Sequence, residues 1–109
     1  MIPAEKCGLD FETQKKMIHI FEKYQQIDKV ILYGSRAKGS YRPGSDIDLT
    51  VVSSQLSLSE LFQIENEIDD LLLPYKIDLS LFQQIDNPGL IDHIHRVGLL
   101  FYDRSGERF

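Results

Sequence analysis

Residues 30–52 read Val-Ile-Leu-Tyr-Gly-Ser-Arg-Ala-Lys-Gly-Ser-Tyr-Arg-Pro-Gly-Ser-Asp-Ile-Asp-Leu-Thr-Val-Val. A β-branched, apolar run, Val30 to Tyr33, delivers the chain to Gly34-Ser35. A glycine-punctuated basic loop follows and closes on Asp46 and Asp48, at the head of a second apolar run, Ile47 to Val52. Two such runs, separated by a loop with the turn signal Pro43-Gly44, predict strands over 29–33 and 47–52 suited to antiparallel pairing. Alternation puts Asp46 and Asp48 on one face of the second strand, Cα atoms about 6.5 Å apart, and Ile47, Leu49 and Val51 on the other. Residues 35–39 read as a short helical turn.

On the N-terminal side, residues 1–9 show no periodicity and read as an irregular lead-in. Asp10 suits the N-cap of a helix over 11–24, where Phe11, Met17, Ile18, Phe21 and Tyr24 recur near helical spacing. On the C-terminal side, Ser57-Leu58-Ser59-Glu60 is a capping box that opens an amphipathic helix ending before Pro74, with Leu56 and Leu61 as its hydrophobic staple. Residues 76–82 alternate, with Ile77, Leu79 and Leu81 on one face and Lys76, Asp78 and Ser80 on the other, so a half-buried strand is predicted. Asn87-Pro88 starts a last helix with the stripe Leu90, Ile91, Ile94 and Val97, and Gly98 reads as its C′ stop. A strand over 99–102 and a frayed tail over 103–109 complete the chain.

The 109 residues suit one domain, 1–109, with a core at about 10–102. A net charge of −5 argues against a protein that coats nucleic acid. The distribution says more than the sum: no acidic residue lies between Asp28 and Asp46, while Lys29, Arg36, Lys38 and Arg42 do. The lone cysteine, Cys7, makes no internal disulfide and suits a reducing compartment, and no apolar run is long enough to span a membrane, so a cytoplasmic protein is expected.

The spacing carries the chemistry. Asp78 repeats the arrangement of Asp46 and Asp48 on another strand: carboxylate outward, Ile77 and Leu79 toward the core. Adjacent strands lie about 5 Å apart, so neighbouring positions would gather three carboxylates on one open face. Like charges so placed repel and raise one another's pKa, which makes sense where divalent cations neutralise them. Asp46, Asp48 and Asp78 are therefore the candidate metal ligands and catalytic residues, for Mg²⁺, with two ions able to clamp an in-line phosphoryl displacement. Asp78 is also placed to take the proton of an attacking hydroxyl. Gly34 lets the backbone approach a phosphate, and the Ser35 hydroxyl can donate to it. Gly34, Ser35, Arg36, Lys38 and Ser45 are the candidate nucleotide contacts, with Arg42 a further cation for the triphosphate or departing pyrophosphate. Neither a Walker A loop nor Gly-x-Gly-x-x-Gly is present. His93 and His95, two apart on a helix, point about 200° apart and make a poor chelating pair, so both read as surface residues.

Gly34-Ser35-Arg36, Gly39, Ser45-Asp46-Ile47-Asp48-Leu49 and Ile77-Asp78-Leu79 together resemble the polymerase-β-like nucleotidyltransferase superfamily, most closely its minimal nucleotidyltransferases. The resemblance spans about residues 10–102. It implies an α+β, palm-like fold: a mixed, mostly antiparallel sheet with helices packed on one face. It further implies Asp46 and Asp48 as metal ligands, Asp78 as third ligand and base, and Gly34-Ser35 as the triphosphate contact. The implied reaction moves a nucleoside monophosphate, usually AMP from ATP, to an acceptor hydroxyl and releases pyrophosphate. Relatives of this size often pair with a HEPN-domain toxin, which makes AMP transfer to a tyrosine of such a partner, by an antitoxin, the implied function. Little chain follows Asp78, so no separate domain is expected to hold nucleic acid as a direct substrate, and homo- or hetero-oligomers are open. Two other readings stand beside it: an antitoxin that neutralises its partner by occlusion without catalysis, and a small-molecule nucleotidyltransferase of the aminoglycoside-modifying kind.

Overall fold

The apolar runs flanking the glycine-rich loop form a hairpin at the centre of the sheet. The computed structural model describes residues 1–104. β1 (Lys29–Tyr33) and β2 (Ile47–Val52) pair antiparallel, with Tyr33 opposite Asp48 and Leu32 opposite Leu49. The loop between them carries α3 (Gly34–Lys38). β3 (Ile77–Leu81) joins β2 in parallel, and β4 (Leu99–Asp103) joins β1 antiparallel, giving the order β3-β2-β1-β4. A parallel pair needs a crossover, which α4 (Leu58–Asp69) supplies. The remaining helices are α1 (Ala4–Cys7), α2 (Phe11–Glu22) and α5 (Pro88–Val97). The expected strands and helix starts are in place; α2 ends two residues earlier than its periodicity predicts.

Strand alternation sorts the sheet into two faces. Val30, Leu32, Leu49, Val51, Leu79 and Leu81 are buried in one core with Met17, Ile20 and Phe21 of α2 and Leu61, Ile64 and Ile68 of α4. Each fully buried residue of this kind contributes about 1.5–3 kcal/mol. An exposed ion pair such as Arg96–Asp92 contributes less than about 1 kcal/mol. The apolar layer, not surface charge, therefore dictates which side chains lie on the opposite face of the sheet, where Tyr33 and Thr50 are also buried. Those are Ile31, Tyr33, Asp48, Thr50, Asp78 and Ser80, matched across the strands by register.

The capping chemistry is as the sequence predicts. Asp10 accepts from the Thr13 amide at 2.8 Å. Ser57 Oγ accepts from the Glu60 amide at 3.1 Å while Glu60 accepts from the Ser57 amide at 3.0 Å. Asn87 caps α5 through the amides of Gly89 and Leu90.

Three expectations need correction. The lead-in is not irregular: it forms α1, and Ile2, Cys7 and Leu9 are buried. Gln14, fully buried, fastens it, accepting from the Ile2 amide at 3.1 Å and donating to the carbonyls of Ile2 (2.8 Å) and Leu9 (2.9 Å). Gly98 ends α5 as expected, its amide donating to the Ile94 carbonyl at 2.8 Å, but not in the left-handed conformation of such stops; its φ is −58°. A Cβ there would overlap the Ile94 carbonyl oxygen and sit 2.7 Å from Ile31 Cγ2, so glycine is needed for close approach. Asp103 belongs to β4, and the Arg104 amide donates to the Asp28 carbonyl at 3.0 Å; the rest of the expected tail, 105–109, lies outside the described residues.

The Gly98–Ile31 contact also locates α5. Helices α2 and α4 pack on one face as expected, whereas α5 lies over Ile31 and Tyr33 on the other. Among the described residues no helix is long and apolar enough to cross a membrane. Replacing Gly98→Ala overpacks the α5–β1 contact and is expected to lower stability by about 1–3 kcal/mol, read as a lower urea midpoint at unchanged m value.

Candidate active site

The site begins where β1 ends. Gly34 has φ +76°, a left-handed conformation that favours glycine. A Cβ on Gly34 would overlap Asp48 Oδ2, so the turn and the carboxylate are packed directly together. The juxtaposition follows from register, because Tyr33 lies opposite Asp48 and the chain turns at the next residue. Ser35 follows, half-buried, in the first turn of α3.

β3 brings the third acid. Its parallel pairing sets Asp78 beside Asp48, on the face away from α2 and α4. Asp46 is exposed just before β2, whose first amide, at Ile47, donates to the Lys76 carbonyl at 2.9 Å. Asp48 is half-buried, and its carboxyl is pushed above the usual carboxylate range, first by burial and then by the charges of Asp78 and Asp46. Tyr33 is raised too, by burial and by both Asp78 and Asp48. Glu65 of α4 is raised as well, by burial and then by Asp69 and Asp78.

Among the described residues no three His, Cys, Asp or Glu side chains converge closely enough to hold a metal ion as they stand. The donor set nevertheless fits a hard divalent cation: carboxylate oxygens, adjacent in register, whose mutual repulsion such an ion would relieve.

The basic loop divides into two roles. Arg36, expected to contact nucleotide, is only 2% exposed. Its Nη1 donates to the Cys7 carbonyl at 2.9 Å, and its Nε and Nη2 donate to the Ser45 carbonyl at 3.2 and 2.9 Å. The guanidinium also stacks on Tyr75 and Tyr41, 4.9 and 5.4 Å from the ring centroids. Arg36 is thus a buried clamp on the loop rather than an open phosphate ligand. Ser45 closes a turn: its amide donates to the Arg42 carbonyl at 2.9 Å and its Oγ accepts from the Arg42 amide at 2.8 Å. Lys38 and Arg42 are exposed.

The family profile "Polymerase beta, Nucleotidyltransferase" matches residues 15–107. The chain belongs to this nucleotidyltransferase family. No curated protein matches it. Solved structures do. A chain of a toxin–antitoxin complex crystallised with AMP-PNP aligns over 83% of this chain and 73% of its own, with TM-score 0.68 and 18% identity. A chain of an MntA–HepT toxin–antitoxin complex aligns over 88% and 74%, with TM-score 0.65 and 15% identity. One from a complex of tri-AMPylated Shewanella oneidensis HEPN toxin with MNT antitoxin aligns over 86% and 72%, with TM-score 0.63 and 16% identity. At these identities the likeness is one of fold: the mixed sheet and its helices are those of the polymerase-β-like nucleotidyltransferases.

One residue beside the candidate site is not marked by the sequence pattern alone. His93 is not a free surface side chain: its Nε2 accepts from the Gly34 amide at 3.1 Å, and its ring meets Tyr33 edge-on, centroids 6.2 Å apart. The pattern gives a partial signal, because His93 completes the stripe Leu90, His93, Ile94, Val97 at i, i+3, i+4 and i+7. His95 does point elsewhere, against Phe82.

Two outcomes follow from this geometry. Below about pH 3.9 the Asp48 carboxyl is protonated in folded and unfolded chains alike. As pH rises, the unfolded chain ionises first, so the raised folded value means that ionisation disfavours the fold. Asp48→Asn is therefore expected to raise the Tm of the metal-free protein at pH 7, the gain disappearing below about pH 3.9. Arg36→Ala leaves two carbonyls without their donor and is expected to cost about 1–3 kcal/mol for each, whereas exposed Lys38→Ala changes stability by less than about 0.5 kcal/mol in the same denaturation assay.

Proposed function

We propose that this chain transfers AMP from ATP to a hydroxyl of a partner protein, and that the partner is a HEPN-domain toxin. The observation that carries the reading is the junction of turn and acids: Gly34 against the Asp48 carboxylate, with Asp78 next to Asp48 in register. In this reading the turn meets phosphate and the neighbouring acids meet a divalent cation. The neighbouring structures support the choice of nucleotide and acceptor. One was crystallised with AMP-PNP, and another holds a HEPN toxin that is tri-AMPylated.

In this reading residues 1–109 work as one cytoplasmic nucleotidyltransferase domain. Asp46, Asp48 and Asp78 would hold Mg²⁺, as two ions. Bound there, Mg²⁺ supplies charge neutralisation at the attacking and leaving oxygens. Ser35 and the turn at Gly34 hold the triphosphate, while exposed Lys38 and Arg42 offer charge to the β- and γ-phosphates and the departing pyrophosphate. The acceptor oxygen attacks the α-phosphorus, the bond from that phosphorus to the bridging oxygen breaks, and pyrophosphate leaves. Asp78, exposed on the open face, takes the hydroxyl proton. Arg36 acts indirectly by holding Ser45, and with it the approach to Asp46, in place.

The test is incubation with Mg²⁺, ATP labelled on the α-phosphate, and the protein encoded by the neighbouring reading frame. Label is expected on the partner, and Asp78→Asn is expected to slow its transfer by about 10²-fold or more. Absence of label, with Asp46→Asn/Asp48→Asn still neutralising the partner, would instead establish occlusion as the mode of action.

A further inference from the structure

His93 stands 59 positions from Gly34 in sequence yet takes its amide proton. We infer that His93 is a positioning residue for nucleotide binding: its Nε2 fixes the Gly34 peptide and so aims the Ser35 hydroxyl at the phosphate. The inference rests on the nucleotidyltransferase reading of the site and adds to it a residue from α5.

The geometry carries it in three steps. First, α5 is seated rigidly. Asn87 caps its start, Ile94 is buried, and Gly98 lets its end press on Ile31. Residue 93 is therefore delivered to a fixed point above β1, and the edge-on contact with Tyr33 orients the ring. Second, the hydrogen bond has one polarity. An amide N–H only donates, so Nε2 must accept, and the neutral imidazole carries its proton on Nδ1. Third, the Gly34 peptide is held from two sides. The Asp48 carboxylate packs where a side chain would stand, and His93 takes the N–H. With that N–H occupied, the turn's rotation is set and the phosphate must be met by the Ser35 hydroxyl and by groups further along the loop.

The roles of ring and acceptor separate by substitution. His93→Phe keeps an aromatic edge against Tyr33 and deletes the acceptor. His93→Gln deletes the ring and offers an amide oxygen to the Gly34 N–H. Affinity for AMP-PNP with Mg²⁺ is measured by calorimetry, so no acceptor protein is needed, and Tm is measured alongside. Wild-type protein is expected to bind; failure of the wild type would overturn the functional reading rather than the role of His93. His93→Phe is expected to weaken binding by about tenfold, the effect of one lost hydrogen bond, while His93→Gln recovers to within about threefold of wild type. Should His93→Phe give no cooperative melt, His93→Leu takes its place in the comparison. Affinity that follows Tm rather than acceptor capacity overturns the inference, as does unchanged binding by His93→Phe. Tighter binding by His93→Phe also overturns it, because the Gly34 N–H would then itself be a phosphate donor that His93 blocks. Long-range ¹H–¹⁵N spectra of the wild-type imidazole give a check independent of substitution: the Nδ1–H tautomer is expected, and an Nε2–H tautomer overturns the inference.

Discussion

Everything at the candidate site depends on the absence of a side chain at residue 34. With no Cβ there, the chain turns at positive φ and the Asp48 carboxylate occupies the vacated space. That single packing contact joins two chemistries that would otherwise lie a side chain's width apart. It works only because β1 and β2 are in a fixed register, and the register is set by Val30, Leu32, Leu49 and Val51 finding the same core. A slip of one residue would send Asp48 into the apolar layer. The site's precision is thus inherited from hydrophobic burial on the opposite face of the sheet.

The same arrangement holds opposing demands. The fold draws carboxylates together and half-buries one, which works against stability while the acids stand without a cation. The β-sheet tolerates this because its other face is buried in the apolar core, while α5 packs on the acid-bearing face at Tyr33. Function and stability therefore pull in different directions at Asp48, a tension common where groups are arranged for chemistry rather than for packing.

Much of this was legible in the residues because it rests on local rules. Alternation gave away the strands and the face of each acid. The capping box at Ser57 and the Asn-Pro pair at 87–88 announced their helices. Even the pairing of Asp78 with Asp48 was readable, since each sits outward between inward apolar neighbours. What was hidden depends on partners distant in sequence. Arg36 looked like a phosphate ligand because composition shows a charge and not the carbonyls of Cys7 and Ser45 that surround it. Ile2, Cys7 and Leu9 follow no period, so nothing local marked them as core. Gly98 stands where a helix-ending glycine is expected, yet what requires glycine there is close approach to the Ile94 carbonyl and to Ile31. His93 was read against His95, its neighbour in sequence, rather than against Gly34.

The Arg36 clamp has a mechanical consequence. Its guanidinium is bonded on one side to Cys7 and on the other to Ser45, while Gln14 binds the same lead-in to α2. The loop over 39–45 is therefore not an independent flap. Opening it widely means tearing three charge-assisted bonds from a buried cation and disturbing a segment sewn to the main core. Local opening here approaches the free energy of a larger cooperative unit, so amide hydrogens around Ser45 should exchange with those of α1 as one block rather than with the slack of an ordinary surface loop.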